Sequence, residues 1–165
     1  MAKVDVNNTK TENLVNPLGL DTTVPRFSWQ ITSDQNDVVQ TAYEILVASS
    51  IDKLNTGDGD LWNSGKIKSS EQLWIAYNGK QLKSNQRGYW KVRAYTNKGL
   101  TEWSKPQEFG IGLLKESHWS GRWIGLERLM EGEQKGLHTR LAARYLRKEF
   151  ELKDITRESQ MLLSC

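Results

Sequence analysis

The chain has 165 residues, which is enough for one domain of ordinary size with a remainder. Its 23 lysines and arginines are interleaved with 20 acidic residues, and a net charge of +3 spread in this way excludes the concentrated basic stripe of a nucleic-acid-binding protein. No apolar run approaches the roughly 20 residues of a membrane-spanning helix, and the first residues lack the apolar core of a secretory signal. The sequence therefore predicts neither a membrane span nor a nucleic-acid partner, and it favours a cytoplasmic location.

Short apolar segments separated by turn residues run from residue 27 to residue 111, a pattern typical of a β-sandwich. Residues 27–31 alternate between apolar and polar side chains, which predicts a strand with one buried face. Residues 43–48 alternate in the same way, but both of their faces are apolar, so this strand is predicted to lie at the centre of a sheet. Ser50 is then placed to cap one helical turn, and the glycines and aspartates of residues 56–60 predict a loop.

Four further strands are predicted after this loop, over residues 61–67, 73–77, 89–95 and 107–112. Asn78-Gly79 is suited to a tight turn after the second of these strands, and Asn97-Lys98-Gly99 to the turn of the last hairpin. Cys165 is the only cysteine, so no disulfide within the chain supports the fold. About seven short strands without disulfides predict an all-β fold, a fibronectin type III-like or immunoglobulin-like β-sandwich.

Six short segments stand in a characteristic order along this region. They are Asn16-Pro17-Leu18-Gly19, Pro25-Arg26-Phe27-Ser28-Trp29, Gln40-Thr41-Ala42-Tyr43, Leu61-Trp62-Asn63-Ser64-Gly65, Tyr89-Trp90-Lys91-Val92-Arg93 and Trp103-Ser104. In this order they resemble the N-terminal portion of bacterial α-L-rhamnosidases. The resemblance implies a non-catalytic accessory fragment, because the acid and base of that family lie in a distant α/α-barrel. It also implies that the downstream domains are partners of this chain, and that rhamnose-containing glycans are partners of the parent enzyme.

The resemblance divides the chain into three parts. Residues 1–112 form the sandwich, residues 113–139 a linker and junction loop, and residues 140–165 the incomplete start of a second β-sandwich, with an opening strand over residues 144–152. Trp119 and Trp123 flank the junction and are expected to fill an interface between domains. Left uncovered, that interface favours self-association.

No catalytic, cofactor or metal site is predicted from the residues. The acidic side chains fall in predicted turns or on strand surfaces, where nothing indicates the burial that raises the pKa of a catalytic acid; they are Asp58, Asp60, Glu71, Glu102 and Glu108. His118 and His138 are far apart and have no partners at zinc-ligand spacing. Residues 57–60 resemble an acidic metal loop but lack the ligand pattern of an EF-hand, which leaves calcium as a minor alternative.

A second hypothesis is a free-standing carbohydrate-binding or adhesion module. It requires exposed aromatic rings, and Trp29, Trp62 and Trp90 are instead predicted to face the core. Trp74 and Trp103 are therefore the candidates for sugar contact.

Overall fold

In the computed structural model, residues 4–122 and 145–149 are described, and nearly all regular structure in them is β-strand. The elements are β1 (Val4–Thr11), β2 (Arg26–Ser33), β3 (Gln40–Ala48), α1 (Ile51–Thr56), β4 (Trp62–Asn63), β5 (Ile75–Ala76), β6 (Arg87–Thr96), β7 (Gly99–Leu100), β8 (Gln107–Gly110) and a 3₁₀ turn (Glu116–His118). Within this part of the chain, no helix has the length and apolar character needed to span a membrane. By contact density the chain divides into two units, Met1–Ser120 and Gly121–Cys165.

Two antiparallel sheets pack against each other. The smaller sheet has the strand order β1-β2-β5, and the larger one has the order β4-β3-β6, with β7 and β8 both pairing with β6. Strands β3 and β6 pair along almost their whole length, from Gln40 opposite Thr96 to Ala48 opposite Tyr89. The prediction of an all-β sandwich is confirmed, and so is the central place of the strand at residues 43–48.

The core between the sheets is dominated by aromatic rings from both of them. Phe27 of β2 lies against Trp90 of β6, with ring centroids 4.4 Å apart. The Trp90 indole N–H donates to the Thr11 hydroxyl at 3.0 Å, and the Trp29 indole N–H donates to the Gln40 side chain at 3.0 Å. All five residues are buried. Each buried indole therefore has a hydrogen-bond partner, as burial of a polar group requires, and the predicted burial of Trp29 and Trp90 is confirmed.

The second apolar face of β3 is covered by α1. Leu46 and Ala48 point away from the main core and pack with Leu54 of α1 into a separate small cluster. Ser50 caps this helix as predicted, since its hydroxyl accepts from the Lys53 N–H at 3.3 Å. The apolar residues on both faces of β3 are thus explained by two different layers.

The strand predicted over residues 61–67 is shorter than expected. Only Trp62–Asn63 pair as β4, and Ile67 makes a single bridge to Tyr43. Between them Gly65 has φ +59°, and its N–H donates to the Asn63 side chain. This local turn interrupts the ladder. Trp62 is half-buried and packs on Phe27, as predicted for a ring that faces the core.

The strand predicted over residues 73–77 is also wrong in extent, and only Ile75–Ala76 form β5. Trp74 has φ +58°, and its N–H donates to the Ser28 hydroxyl instead of to a backbone carbonyl. No hairpin follows at Asn78-Gly79. A Cβ on Gly79 would lie 2.4 Å from the Leu61 carbonyl oxygen, so this glycine serves the close approach of two segments.

Strand β1 has no counterpart among the predicted strands. Its sequence is mostly polar, and Val6 is its one buried aliphatic residue. It pairs with β2 over its whole length, with a register shift between Asn7 and Lys10. Hydrogen bonding to β2 and two buried threonines, Thr9 and Thr11, hold this strand in place.

The predicted second β region falls mostly outside the described residues. Within it, residues 145–149 are exposed and lie in no strand, so the strand predicted over residues 144–152 is not formed there. Trp123, His138, Cys165 and the remaining positions of that region lie outside the described part of the chain.

Candidate functional site

Trp74 lies on the outer face of the three-stranded sheet, in a row with Arg26 and Glu12. Its side chain is 43% exposed, and the Arg26 Cζ atom lies 4.2 Å from its ring centroid. Arg26 in turn donates from Nε and Nη2 to the Glu12 carboxylate at 3.0 and 2.6 Å. These hydrogen bonds hold the pKa of Glu12 below its usual value, against the opposing effect of partial burial. One face of the Trp74 indole is therefore occupied by a fixed guanidinium.

Trp103 lies on the outer face of the other sheet. It is half-buried against the small cluster of Leu46 and Ala48. The Arg93 Cζ atom is 4.5 Å from its ring centroid, and Lys91 Nζ is 5.2 Å away. Burial, followed by the nearby charge of Arg93, lowers the pKa of Lys91. Trp74 and Trp103 thus lie on opposite sides of the sandwich and do not form one platform.

The acidic candidates show the properties of surface or structural carboxylates. Asp58, Glu71 and Glu102 are exposed. Glu108 forms an ion pair with Arg87, with Oε2 3.9 Å from Nη1.

Asp60 is held as a structural carboxylate. Its oxygens accept from the Ser49 N–H and hydroxyl and from Lys53 Nζ at 2.7–2.8 Å. Although burial acts in the opposite direction, these hydrogen bonds lower the pKa of Asp60 to about 2. A general acid needs a raised pKa, so Asp60 is unsuited to that role.

The acidic loop at residues 57–60 offers little to a cation. Both carboxylate oxygens of Asp60 already accept hydrogen bonds, one of them from the Lys53 ammonium. In the described ranges, no three or more His, Cys, Asp or Glu side chains are grouped so as to hold a metal ion. His118, which lies 2.5 Å from the Ser84 hydroxyl, is a partner in a loop contact.

Residues 16–20 form a brace along the outer edge of β8. Leu20 makes a parallel bridge to Ile111, and Pro17 is buried. The hydrogen bonds are Glu108 N–H to Asn16 Oδ1 (3.0 Å), Gly110 N–H to the Pro17 carbonyl (2.9 Å), Leu20 N–H to the Gly110 carbonyl (2.8 Å) and Gly112 N–H to the Leu20 carbonyl (2.8 Å). The brace satisfies the edge strand where β8 would otherwise expose unpaired backbone groups. Sequence reasoning missed this role, because the segment has no strand periodicity.

The chain that leaves the sandwich is tied down over several further residues. The Asn85 N–H donates to the Gly112 carbonyl at 3.1 Å, and the Leu114 N–H donates to the Ser84 hydroxyl at 3.1 Å. Leu114 also packs against the main core. Together with the Ser84–His118 contact, these bonds fix the path of the outgoing chain as far as His118. Trp119 follows directly and is 66% exposed.

Comparison with known proteins identifies the family to which this architecture corresponds. Residues 6–115 match the family model described as the Rha78A-like, N-terminal immunoglobulin domain. An α-L-rhamnosidase of Formosa agariphila is 44% identical over 113 residues, covering 67% of this chain and 12% of that protein. A second α-L-rhamnosidase of the same organism is 38% identical over 159 residues, covering 94% of this chain and 17% of that protein.

Solved structures give the same result. The crystal structure of Streptomyces avermitilis α-L-rhamnosidase complexed with L-rhamnose matches 74% of this chain and 12% of that chain, with a TM-score of 0.69 and 37% identity. The chain therefore spans a small fraction of the length of the relatives it matches.

Proposed function

Because the chain belongs to the family of Rha78A-like N-terminal immunoglobulin domains, we propose that it serves as a non-catalytic accessory domain of an α-L-rhamnosidase that hydrolyses terminal α-L-rhamnosides. The observation that carries this proposal is the fixed path of the outgoing chain from Gly112 to His118. A domain that held its exit loosely would not orient the polypeptide beyond it. A rigid exit sets the direction in which the rest of the enzyme begins.

The six segments that resemble the rhamnosidases support the same role. The Gln40 side chain accepts a hydrogen bond from the Trp29 indole N–H and donates to two backbone carbonyls. The Ser64 hydroxyl accepts from the Ile45 N–H, and the Ser104 hydroxyl accepts from the Val92 N–H. These polar side chains make hydrogen bonds that hold the segments of the sandwich together. They are therefore not available as a nucleophile or an acid–base pair for hydrolysis.

We propose the domain boundaries that agree with this role. Residues 1–112 are the sandwich, residues 113–139 are a linker whose first residues are tied to it, and residues 140–165 correspond to the incomplete start of a second β-sandwich domain of the parent enzyme, although residues 145–149 form no strand in this chain. Rhamnose-containing glycans are then substrates of the parent enzyme and bind in its downstream part. In the isolated chain, the exposed Trp119 indole favours self-association, which sedimentation at rising protein concentration would detect.

The proposal is tested with the isolated chain and with one chimera. In the chimera, residues 6–115 of this chain replace the matched segment of the Formosa agariphila enzyme that is 44% identical to it. We expect no release of rhamnose from an aryl α-L-rhamnoside by the 165-residue chain, and full activity of the chimera relative to the unmodified enzyme. Hydrolysis by the isolated chain would contradict the proposal, and so would a chimera that is folded but inactive.

A second candidate function, sugar binding, is favoured by one observation. Trp74 is a bulky residue at positive φ, held half-exposed by the Arg26–Glu12 pair. Such strain in a bulky residue is uncommon and is often found at functional sites. An open indole face beside charged groups suits a sugar ring, whose C–H face stacks on the aromatic ring while its hydroxyls bond polar neighbours.

Titration with rhamnose oligosaccharides, followed by tryptophan fluorescence, tests this second function. Saturable quenching that disappears in Trp74→Ala and persists in Trp103→Ala would support it. Absence of quenching in the unmodified chain would refute the sugar-binding function and would not affect the proposed accessory role.

A further inference from the structure

Exposed aliphatic side chains are concentrated on the connection between β1 and β2. Four of them are half-exposed or more: Leu14 (56%), Val15 (65%), Leu18 (50%) and Val24 (50%). Leu113, immediately after the last strand, is 47% exposed. Singly exposed aliphatics are ordinary, but a group of them on one surface marks an interaction site.

The brace brings Leu18 close to Leu113, since a Cβ on Gly112 would lie 3.1 Å from the Gly19 carbonyl oxygen. Asn16 lies beside Glu108, and the Leu20 N–H bonds the Gly110 carbonyl, so residues 16–20 run along β8 in the same direction as that strand. Leu18 lies over Gly110, where an added Cβ would be 3.3 Å from its Cδ2 atom. Leu14 and Val15 precede this brace, and Leu113 follows it. We call Leu14, Val15, Leu18 and Leu113 the exit surface.

Backbone hydrogen bonds hold the segment that carries Leu14, Val15 and Leu18, while these side chains are not covered. Leu14 exchanges two backbone hydrogen bonds with Thr11, and the Pro17 and Leu20 carbonyls accept from Gly110 and Gly112. The segment is therefore held in one conformation with its aliphatic groups directed outward. A surface that is ordered in advance loses little conformational entropy when a partner covers it.

We infer that the exit surface is the docking site for the remainder of an α-L-rhamnosidase chain, an inference that rests on the proposed function. The occupant is fixed by connectivity. Relatives extend far beyond the matched region, which is 12–17% of their length, and in such a protein the following polypeptide starts next to Leu113. A tethered partner is present at a high effective concentration, so a modest apolar patch is sufficient to hold it.

A glycan and a second copy of this chain are the other occupants to be considered. A glycan needs polar groups arranged around an aromatic ring, whereas the exit surface consists of aliphatic groups. A second copy would have to compete with the tethered polypeptide. Each alternative predicts its own pattern of protection from chemical labelling.

Carbene footprinting with mass spectrometry compares the exit surface in two proteins, the 165-residue chain and the active Formosa agariphila chimera that carries residues 6–115. We expect labelling of Leu14, Val15, Leu18 and Leu113 to fall severalfold in the chimera. Val39 and Leu100 provide matched controls, since they are 54% and 51% exposed near the opposite end of β6. Their labelling is expected to be equal in both proteins.

A paired variant provides a second, independent measurement. The double substitution Leu14→Ser and Leu18→Ser is expected to lower the melting temperature of the chimera and to leave that of the 165-residue chain unchanged. The control pair Val39→Ser and Leu100→Ser is expected to change neither.

The outcomes separate the inference from the function on which it rests. An active chimera with equal labelling of the exit surface in both proteins would overturn the inference and leave the accessory role intact. Protection of the exit surface in the isolated chain that grows with protein concentration would assign it to a second copy, and protection only on addition of rhamnose oligosaccharides would assign it to a glycan. Either result would also overturn the inference. An inactive folded chimera would instead count against the proposed function.

Discussion

The interior between the two sheets and the exit surface both contain apolar side chains, but only those of the interior are covered within this domain. In the interior, the Trp90 ring packs against Phe27 and its indole N–H donates to the Thr11 hydroxyl. The ring is therefore buried and its polar atom has a hydrogen-bond partner. On the exit surface, Pro17 and Leu20 on either side of Leu18 make backbone hydrogen bonds, while the Leu18 side chain remains half-exposed to water. The difference separates residues that stabilise this domain from residues whose burial requires something outside it.

The largest effect is expected for Trp90→Ala, which should lower the free energy of unfolding by about 3–5 kcal/mol. The substitution opens a cavity beside Phe27, and it leaves the Thr11 hydroxyl without the indole N–H that it accepts from. Urea denaturation measures this change. Trp90→Phe, which keeps a ring but loses the N–H, should cost clearly less. Unchanged stability of the alanine variant would contradict the assignment of Trp90 to the core.

The next effect is expected for Gly88→Ala. Gly88 lies opposite Phe109 in the β6–β8 ladder, and an added Cβ would be 2.4 Å from the Phe109 ring. Overpacking of this kind costs about 1–3 kcal/mol. Thermal unfolding of Gly88→Ala, Phe109→Leu and the double variant should show less than additive losses, since the smaller side chain makes room for the methyl group. Strict additivity would rule out a clash between these two positions.

A smaller, pH-dependent effect is expected for Asp60→Asn. The pKa of Asp60 is lowered from 3.8 to about 2, so the folded protein binds this proton more weakly than the unfolded chain does. The stabilisation is complete above pH 4 and is lost as the pH falls towards 2; at neutral pH it is worth about 1–2 kcal/mol, allowing for partial solvent screening. Unfolding measured at pH 7 and near pH 2.5 should show the gap between the two proteins closing. A gap of constant size would contradict the ionic role of Asp60.

The smallest effect is expected on the exit surface. Leu18→Ser should change the free energy of unfolding of the isolated chain by less than about 0.5 kcal/mol, because the side chain is half-exposed and the backbone bonds of the brace remain. Chemical denaturation checks this value. A loss as large as that of a core residue would place Leu18 with the interior.

The same contrast separates the features that could be predicted from sequence from those that could not. Strands β3 and β6, the cap at Ser50 and the burial of Trp29 and Trp90 are explained by alternation and by the pairing of apolar residues across two layers. Strand β1 could not be predicted in this way, since its polar residues are held mainly by hydrogen bonds to β2, and such bonds leave no mark in hydrophobic periodicity.

Two features of the candidate site could not be predicted either. At Trp74 the backbone is left-handed, and its N–H donates to the Ser28 hydroxyl, which is distant in sequence. The role of residues 16–20 depends on β8, which lies some 90 residues later and offers a free edge only once the sheet has formed. Local patterns carry no information about such long-range partners.

The measurement that tests the accessory role most directly is capture of the native protein from its source cells with an antibody raised against this sandwich, followed by intact mass and an assay for α-L-rhamnoside hydrolysis. The account predicts a captured protein several times larger than this chain that releases rhamnose. A captured protein of this chain's own mass, with no rhamnosidase activity in the captured fraction, would contradict it.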